Sequence, residues 1–319
     1  MIATMGFSFD SVAALPSIGG LATESATVAF IQPSTALQLL AFAVLLGGIY
    51  GLVALGLTMI FGVMDVINFA HGAMMVVGMY TVWWTATAFG LHPILSIPLA
   101  VLGLFAIGVL VHLTTISSIM DAPQENQLIV TFGIMLILIS AIEITFSTDP
   151  QSLGLGLGSV AIAGVFLPLG QLYALLISIS AVVVVWLFLQ RTQLGRAIRG
   201  TADDRTAAQY VGINVPRIDY LTFGIGAALA GLAGAVIPLF QQINPYLGDS
   251  YLINAFVIVV LGGLGSFPGA LLGGLIVGFV HVFGQYFLPG SGYQISIFLI
   301  FILVLLLKPE GLLGGGVSE

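Results

Sequence analysis

Long apolar runs separated by short polar connections account for most of the chain. Nine runs reach or approach the roughly 20 apolar residues that a membrane-spanning helix needs. They are 36–61, 70–89, 93–114, 127–147, 169–190, 219–242, 251–264, 267–288 and 292–307. Because two of these runs, 251–264 and 292–307, are short, the pattern predicts an all-α polytopic membrane protein with about eight to ten transmembrane helices.

The composition excludes most other classes of protein. Of the 319 residues, 59% are hydrophobic and only 6% are charged, whereas soluble domains carry about 25% charged residues. A soluble enzyme and a disordered protein are therefore excluded. The chain contains no cysteine, which rules out a disulfide framework and cysteine-ligated metal sites.

The few basic residues predict how the chain is oriented. Five of the six lie between residues 191 and 217, and the sixth is Lys308. Basic residues collect in cytoplasmic loops, so this loop and the C-terminus are expected in the cytoplasm. Nine crossings of the cell membrane then place the N-terminus outside. We expect residues 1–35 to form an extracytoplasmic tail, 36–314 the membrane domain, and 315–319 a C-terminal tail.

Glycine and polar residues interrupt the apolar pattern at 62–72 and again at 262–270. Irregular backbone at membrane depth is either buried in protein or lines a water-filled cavity. Interruptions at corresponding positions of two halves point to a translocation pathway, and we expect two broken or re-entrant helices here. Plain turns punctuated by Gly and Pro are the alternative interpretation. The candidate pathway residues are Asp65, Asn68 and His71, expected as a polar stripe on one helix face, with Gly263 and Ser266.

The motifs of common catalytic chemistry are missing from the sequence. A P-loop needs Lys followed by Ser or Thr, but the only lysine, Lys308, precedes Pro309. Neither an H-E-x-x-H zinc motif nor a G-x-S-x-G nucleophile elbow occurs. The sequence therefore predicts no catalytic residue, no metal site and no cofactor, and the protein is not expected to be an enzyme.

The basic loop 191–217 has the composition of a short helix lying on the cytoplasmic face. Thr201 is a plausible N-cap and Gly212 a plausible helix stop. Asp203 and Asp204 would then lie in the first turn, where the helix dipole favours acidic side chains. The sequence predicts an amphipathic helix between Thr201 and Gly212.

The spacing Ala207-Ala208-x-x-x-Gly212 resembles the Ala-Ala-x-x-x-Gly loop of ABC importer permeases. In that class of protein the loop forms a helix that docks into the ATPase subunit. Thr206 stands where the loop often has Glu, so the match is partial. The resemblance implies that the ATPase-coupling residues are Asp204, Ala207, Ala208 and Gly212.

Four further segments are similar to the LivH-type permease of branched-chain amino acid ABC importers. They are residues 51–72, which include the sequence INFAHG, LGRAIR at 194–199, VLGGLGSFPGA at 260–270, and KPEGLLG at 308–314. The resemblance covers residues 36–314. It implies a LivM-type second permease, two ABC ATPase subunits that bind the ATP, and an extracytoplasmic substrate-binding protein. The chain would form half of the pathway across the lipid bilayer, with no nucleic-acid partner.

The sequence does not identify the substrate. Permeases with the same motifs carry urea, amides or other amino acids, and apolar spans suit the bilayer whatever the cargo. A stand-alone secondary transporter or channel is a further alternative. It would be expected to have more ionisable residues within its spans than this sequence has.

Overall fold

The computed structural model describes residues 32–162, 164–288, 290 and 292–314. Most of the expected N-terminal tail and all of the expected C-terminal tail lie outside these residues. The first helix begins at Pro33, slightly before the predicted boundary of the membrane domain.

The described residues form eleven α-helices and one β-hairpin. Six of the helices are long and apolar enough to cross a membrane, namely α1, α3, α4, α5, α8 and α10. Helices α9 and α11 are shorter apolar helices. The helices are α1 Pro33–Met64, α2 Ala70–Phe89, α3 Pro93–Thr114, α4 Gln124–Phe146, α5 Leu169–Arg191, α6 Gln193–Asp203, α7 Arg205–Tyr210, α8 Val215–Val236, α9 Leu247–Gly262, α10 Phe267–Phe287 and α11 Gly292–Leu307.

Helices α1 and α8 form the centre of the bundle. Within their most apolar windows 67% and 78% of the residues are buried, against 22–28% for α3, α4 and α5. Small residues allow the central helices to approach closely. A Cβ atom added to Gly78 of α2 would lie 2.3 Å from the carbonyl oxygen of Gly231 in α8. The exposed apolar faces of the outer helices are suited to lipid.

Each interruption of the apolar pattern is a connection between two separate helices. Helix α1 ends at Met64, where Asp65 adopts a left-handed φ of 54° and its N–H bonds to the carbonyl oxygen of Phe61. Helix α9 ends at Gly262, and Gly263 has a φ of 103°. The expected broken or re-entrant helices and the exact number of spans are therefore not confirmed.

The predicted polar stripe is wrong. Asp65 caps the end of α1, Asn68 lies in the connection, and His71 lies in the first turn of α2. Because α1 stops at Met64, these three side chains do not share one helix face.

One end of the bundle gathers the start of α1 and two connections. The hairpin pairs β1 Ser159–Ile162 with antiparallel β2 Val165–Pro168 between α4 and α5. Gln38 near the start of α1 accepts a hydrogen bond from the Phe166 N–H and donates one to the Phe166 carbonyl, at 2.8 and 2.7 Å. The backbone of Gln151 pairs with that of Ile243 in the α8–α9 connection.

The other end of α1 gathers both interruptions and the C-terminal segment. A Cβ atom at Gly62 would lie 2.8 Å from the Cα atom of Gly265, so the two interruptions touch although they are far apart in sequence. The N–H groups of Leu312 and Leu313 donate to the carbonyl oxygens of Leu261 and Gly262. These segments therefore pack as one layer.

The basic loop contains two short helices instead of one. Thr201 is not an N-cap: it lies inside α6, where its hydroxyl donates to the Ala197 carbonyl at 2.9 Å. The N-caps are Thr192 for α6 and Asp204 for α7. The helix begins earlier than predicted because Thr192 accepts a hydrogen bond from Gly195 N–H, and the extended backbone of Asp204 separates α6 from α7.

Candidate functional site

Asn68 is the buried polar residue of the first interruption. Its side chain has no solvent exposure, and its Oδ1 accepts a hydrogen bond from the Ala70 N–H at 3.0 Å, at the start of α2. Its Nδ2 group is buried without a hydrogen-bond partner. Asp65, by contrast, is exposed. Asn68 therefore fixes where α2 begins and retains a free donor.

His71 links the beginning of α2 to the interior of α1. Its ring is fully buried, and Nε2 lies 3.0 Å from the carbonyl oxygen of Val53, well before the end of α1. Since a carbonyl group only accepts, Nε2 must carry the hydrogen and Nδ1 must be an acceptor. That Nδ1 has no partner. The ring packs directly against Gly56 of α1.

Gly263 and Ser266 shape the second interruption. A Cβ atom at Gly263 would lie 2.4 Å from the backbone nitrogen of Gly314. Ser266 is the N-cap of α10, and its Oγ accepts a hydrogen bond from the Gly269 N–H at 3.1 Å. Both residues therefore hold the turn between α9 and α10 in the observed geometry.

Within the described residues, the two interruptions touch each other close to the buried side chains of Asn68 and His71. Gly62 and Gly265 are in contact, while both polar side chains are completely shielded from solvent. In this conformation Asn68 and His71 are packed in the protein interior, whereas Asp65 is exposed and Ser266 is partly exposed.

Helix α7 presents the candidate coupling residues. Asp204 Oδ1 accepts hydrogen bonds from the Thr206 and Ala207 N–H groups at 2.8 and 2.9 Å. Ala208 packs inward with 4% exposure, whereas Ala207 faces outward. Gly212 closes the helix with a φ of 85° and open space around it.

An exposed apolar pair lies at the C-terminal end of α7. Tyr210 is 86% exposed and Val211 is 78% exposed. Both adjoin Gly212 at the edge of an otherwise polar loop. An unpaired aromatic and aliphatic surface of this kind is suited to a protein partner.

Arg205 joins this loop to the centre of the bundle. Its guanidinium donates to both carboxylate oxygens of Asp219 in α8, at 3.0 and 2.8 Å, and to the carbonyl oxygen of Val63 at 2.9 Å. This is the one ion pair within the part of the chain that the structure describes. From the sequence alone, Arg205 is predicted only to mark the cytoplasmic side of the membrane. The acidic residue within the apolar run 219–242 was the signal that could have revealed the pair.

A second polar network crosses the bundle between α1, α9 and α10. Asn254 Nδ2 donates to the Tyr50 hydroxyl oxygen at 3.1 Å, and that hydroxyl is hydrogen-bonded to His281 Nδ1 at 2.9 Å. The ring of Tyr293 in α11 lies 4.1 Å from that of His281, centroid to centroid. Hydropathy alone gave no indication that these residues meet.

The apolar helix bundle is that of a polytopic membrane protein. The chain belongs to the family of branched-chain amino acid transport system permease components, whose model matches residues 39–307. It is 33% identical to the high-affinity branched-chain amino acid transport system permease protein BraD of Pseudomonas aeruginosa, over 87% of this chain and 95% of the relative.

Two further relatives show the same breadth of similarity. The high-affinity branched-chain amino acid transport system permease protein LivH of Escherichia coli is 33% identical, over 87% of this chain and 95% of the relative. The probable branched-chain amino acid transport permease protein LivH of Methanocaldococcus jannaschii is 31% identical, over 85% of this chain and 90% of the relative. The similarity therefore covers most of the chain.

Proposed function

We propose that this chain is the permease subunit of an ATP-driven importer for branched-chain amino acids and forms half of its translocation pathway. The observation that carries the proposal is the similarity to BraD and LivH, which spans 95% of each relative. The chain works with a LivM-type second permease, two ABC ATPase subunits and an extracytoplasmic substrate-binding protein. ATP is bound by the ATPase subunits, and this chain needs no cofactor or metal.

Helices α6 and α7 dock the ATPase. The exposed side chains of Tyr210 and Val211 supply apolar contact, and the left-handed Gly212 fixes the end of the docking helix. Arg205 carries the movement inward, because it is bonded to both α1 and α8. A displacement of α7 is thereby passed to the two central helices.

The basic loop defines the orientation in the cell membrane. Nine helices cross it, with the N-terminus outside and the C-terminus in the cytoplasm. Five basic residues on the loop support this assignment, because positive charge is retained on the cytoplasmic side. The hairpin then faces outward, where the binding protein delivers substrate.

The two interruptions form the inner gate of the pathway. Opening separates Gly62 from Gly265 and exposes Asn68, His71 and Ser266 to the substrate. The buried and unpartnered Nδ2 of Asn68 and Nδ1 of His71 support this role, since unsatisfied polar groups in a bundle interior are costly and mark functional positions. Asp65 and Gly263 flank the gate.

Uptake by proteoliposomes tests the proposal directly. The full chain is reconstituted with its second permease and ATPase, with ATP enclosed on the ATPase side and binding protein loaded with radiolabelled leucine outside. We expect uptake that requires ATP and is not reduced by excess urea. Equal uptake with ADP and with ATP would overturn the proposal that ATP drives transport. ATP-dependent uptake of urea with no uptake of leucine would overturn the substrate assignment.

A further inference from the structure

A continuous apolar groove runs between α1, α5 and α10. Two cavities of about 360 and about 310 Å³ share Val182 and Leu271 as lining residues. The groove extends along α5 from Leu175 to Gln190, which at the helical rise of 1.5 Å per residue is roughly 22 Å. One leaflet of the hydrocarbon core is about 15 Å deep. The α5 groove is therefore long enough for an extended acyl chain.

The groove ends at a single cationic side chain. Arg199 lines it and donates from Nη1 to the Gln190 Oε1 at 3.0 Å. Its Nε group is buried and has no hydrogen-bond partner. A guanidinium N–H that is shielded from water and unpaired favours an anionic acceptor.

The fold of the loop places Arg199 at this position. Helix α6 turns back on the end of α5 because the Thr192 hydroxyl donates to the Phe188 carbonyl and accepts from the Gly195 N–H. Gly195 lies so close that a Cβ atom there would be 2.4 Å from the Phe188 carbonyl oxygen. The close contact directs Arg199 toward the mouth of the groove.

The surrounding charge is positive. Arg191 and Arg196 are exposed on the same segment, while the nearest acid along α6, Asp203, is exposed and forms no ion pair with Arg199 in the described structure. Trp186 also lines the groove and is 57% exposed. Tryptophan with arginine is typical of the boundary between lipid tails and headgroups.

We infer that the α5 groove binds an anionic phospholipid, with the phosphate on Arg199 and an acyl chain along Val182 and Leu271. Charge complementarity selects this occupant, because anionic headgroups concentrate at basic pockets between transmembrane helices. In the proposed orientation, the bound lipid belongs to the cytoplasmic leaflet. The leaflet rests on that proposed orientation, but the binding of the lipid does not. The groove adjoins the second interruption, because Phe267 and Pro268 line it, and Arg199 lies on α6.

Lipid retention by the purified full chain tests the inference. The chain is incorporated into nanodiscs of equal parts palmitoyl-oleoyl phosphatidylglycerol and phosphatidylethanolamine, extracted in mild detergent, and examined by native mass spectrometry. We expect the wild type to retain phosphatidylglycerol preferentially. Arg199→Gln should retain about tenfold less, since it loses a charge-assisted hydrogen bond. Arg217→Gln removes an exposed arginine of α8 that does not line the groove; it is the control and should retain the wild-type amount.

A second variant tests whether the apolar walls of the groove hold the acyl chain, independently of the charge of Arg199. Val182→Trp fills the groove and should lower retention of phosphatidylglycerol while thermal stability stays within a few degrees of the wild type. Equal retention by wild type, Arg199→Gln and Val182→Trp would overturn the inference. So would equal losses in Arg199→Gln and Arg217→Gln. Efficient cross-linking of Trp186→Cys to the second permease in the assembled complex would show that protein covers the groove instead.

Discussion

Arg205 and Asp219 form a two-point ion pair in which Nη1 and Nη2 contact Oδ1 and Oδ2 at 3.0 and 2.8 Å. The side chain of Asp219 is 3% exposed and that of Arg205 is 35% exposed. Because Arg205 also donates to Val63, one side chain from the loop is bonded to both central helices. The basic loop is thus bonded to the end of α1 and to the beginning of α8.

The first prediction concerns this ion pair. Arg205→Ala leaves a buried carboxylate without its partner, so we expect a loss of about 2 kcal/mol, below the usual range for buried pairs because Arg205 is partly exposed. Asp219→Asn removes the buried charge and should cost less. Thermal unfolding in detergent measures both, and ATP-driven uptake should fall in both. Arg217→Ala, an exposed residue of α8, is the control; an equal loss there would contradict the assigned role.

The second prediction concerns the end of the docking helix. Gly212 has a φ of 85°, a conformation that a β-branched residue adopts only with strain. Gly212→Val should insert normally and lose ATP-driven uptake together with ATPase binding in a pull-down. Gly90→Val introduces similar strain at a φ of 64° in open space at the end of α2 and should retain binding. Unchanged binding by Gly212→Val would refute the docking role.

The third prediction concerns the gate. Asn68→Leu removes the N-terminal hydrogen bond to Ala70 and should cost about 1 kcal/mol of stability. Asn68→Ser keeps a short uncharged acceptor for that N–H and should lose less stability than Asn68→Leu. Asn68→Cys in this cysteine-free chain should react with a water-soluble thiol reagent in one nucleotide state of the complex and not in the others. Asp65→Cys, which is exposed, should react in all of them; protection of position 68 in every state would exclude it from the pathway.

The fourth prediction concerns orientation. In intact cells an impermeant thiol reagent should label Ser152→Cys, beside the hairpin, and should not label Gln209→Cys on α7. Both residues are exposed, so access to the membrane face decides the result. Permeabilised cells provide the control, because both variants should then be labelled. The reverse pattern in intact cells would invert the proposed topology.

The fifth prediction concerns helix packing at the centre. A Cβ atom at Gly234 of α8 would lie 1.9 Å from the Met75 carbonyl oxygen of α2, so Gly234→Ala must force the helices apart. We expect a loss of about 1–3 kcal/mol, seen as a lower melting temperature in detergent. Gly133→Ala on α4 meets nothing within 4 Å and should not destabilise the protein. Equal melting temperatures for both variants would disprove the close approach.

The sequence by itself determined the class of protein, the approximate positions of the apolar helices and the location of the two interruptions. Hydropathy and helix-ending residues act locally, so an apolar run and a glycine such as Gly212 can be interpreted without knowledge of the fold. The resemblance carried by the motifs around Asn68 and Ser266 also led to the correct family.

Only the tertiary structure decided which helices are central, which polar groups are buried, and which of them meet. Lipid and protein interior are almost equally apolar, so hydropathy does not separate the buried α1 from the more exposed α4, whose mean hydropathies are 2.3 and 2.4. The contact of Gly62 with Gly265 and the pairing of Arg205 with Asp219 depend on how whole helices pack. The partner of a buried polar group lies on a different helix or loop. Tertiary packing therefore decides which two residues meet.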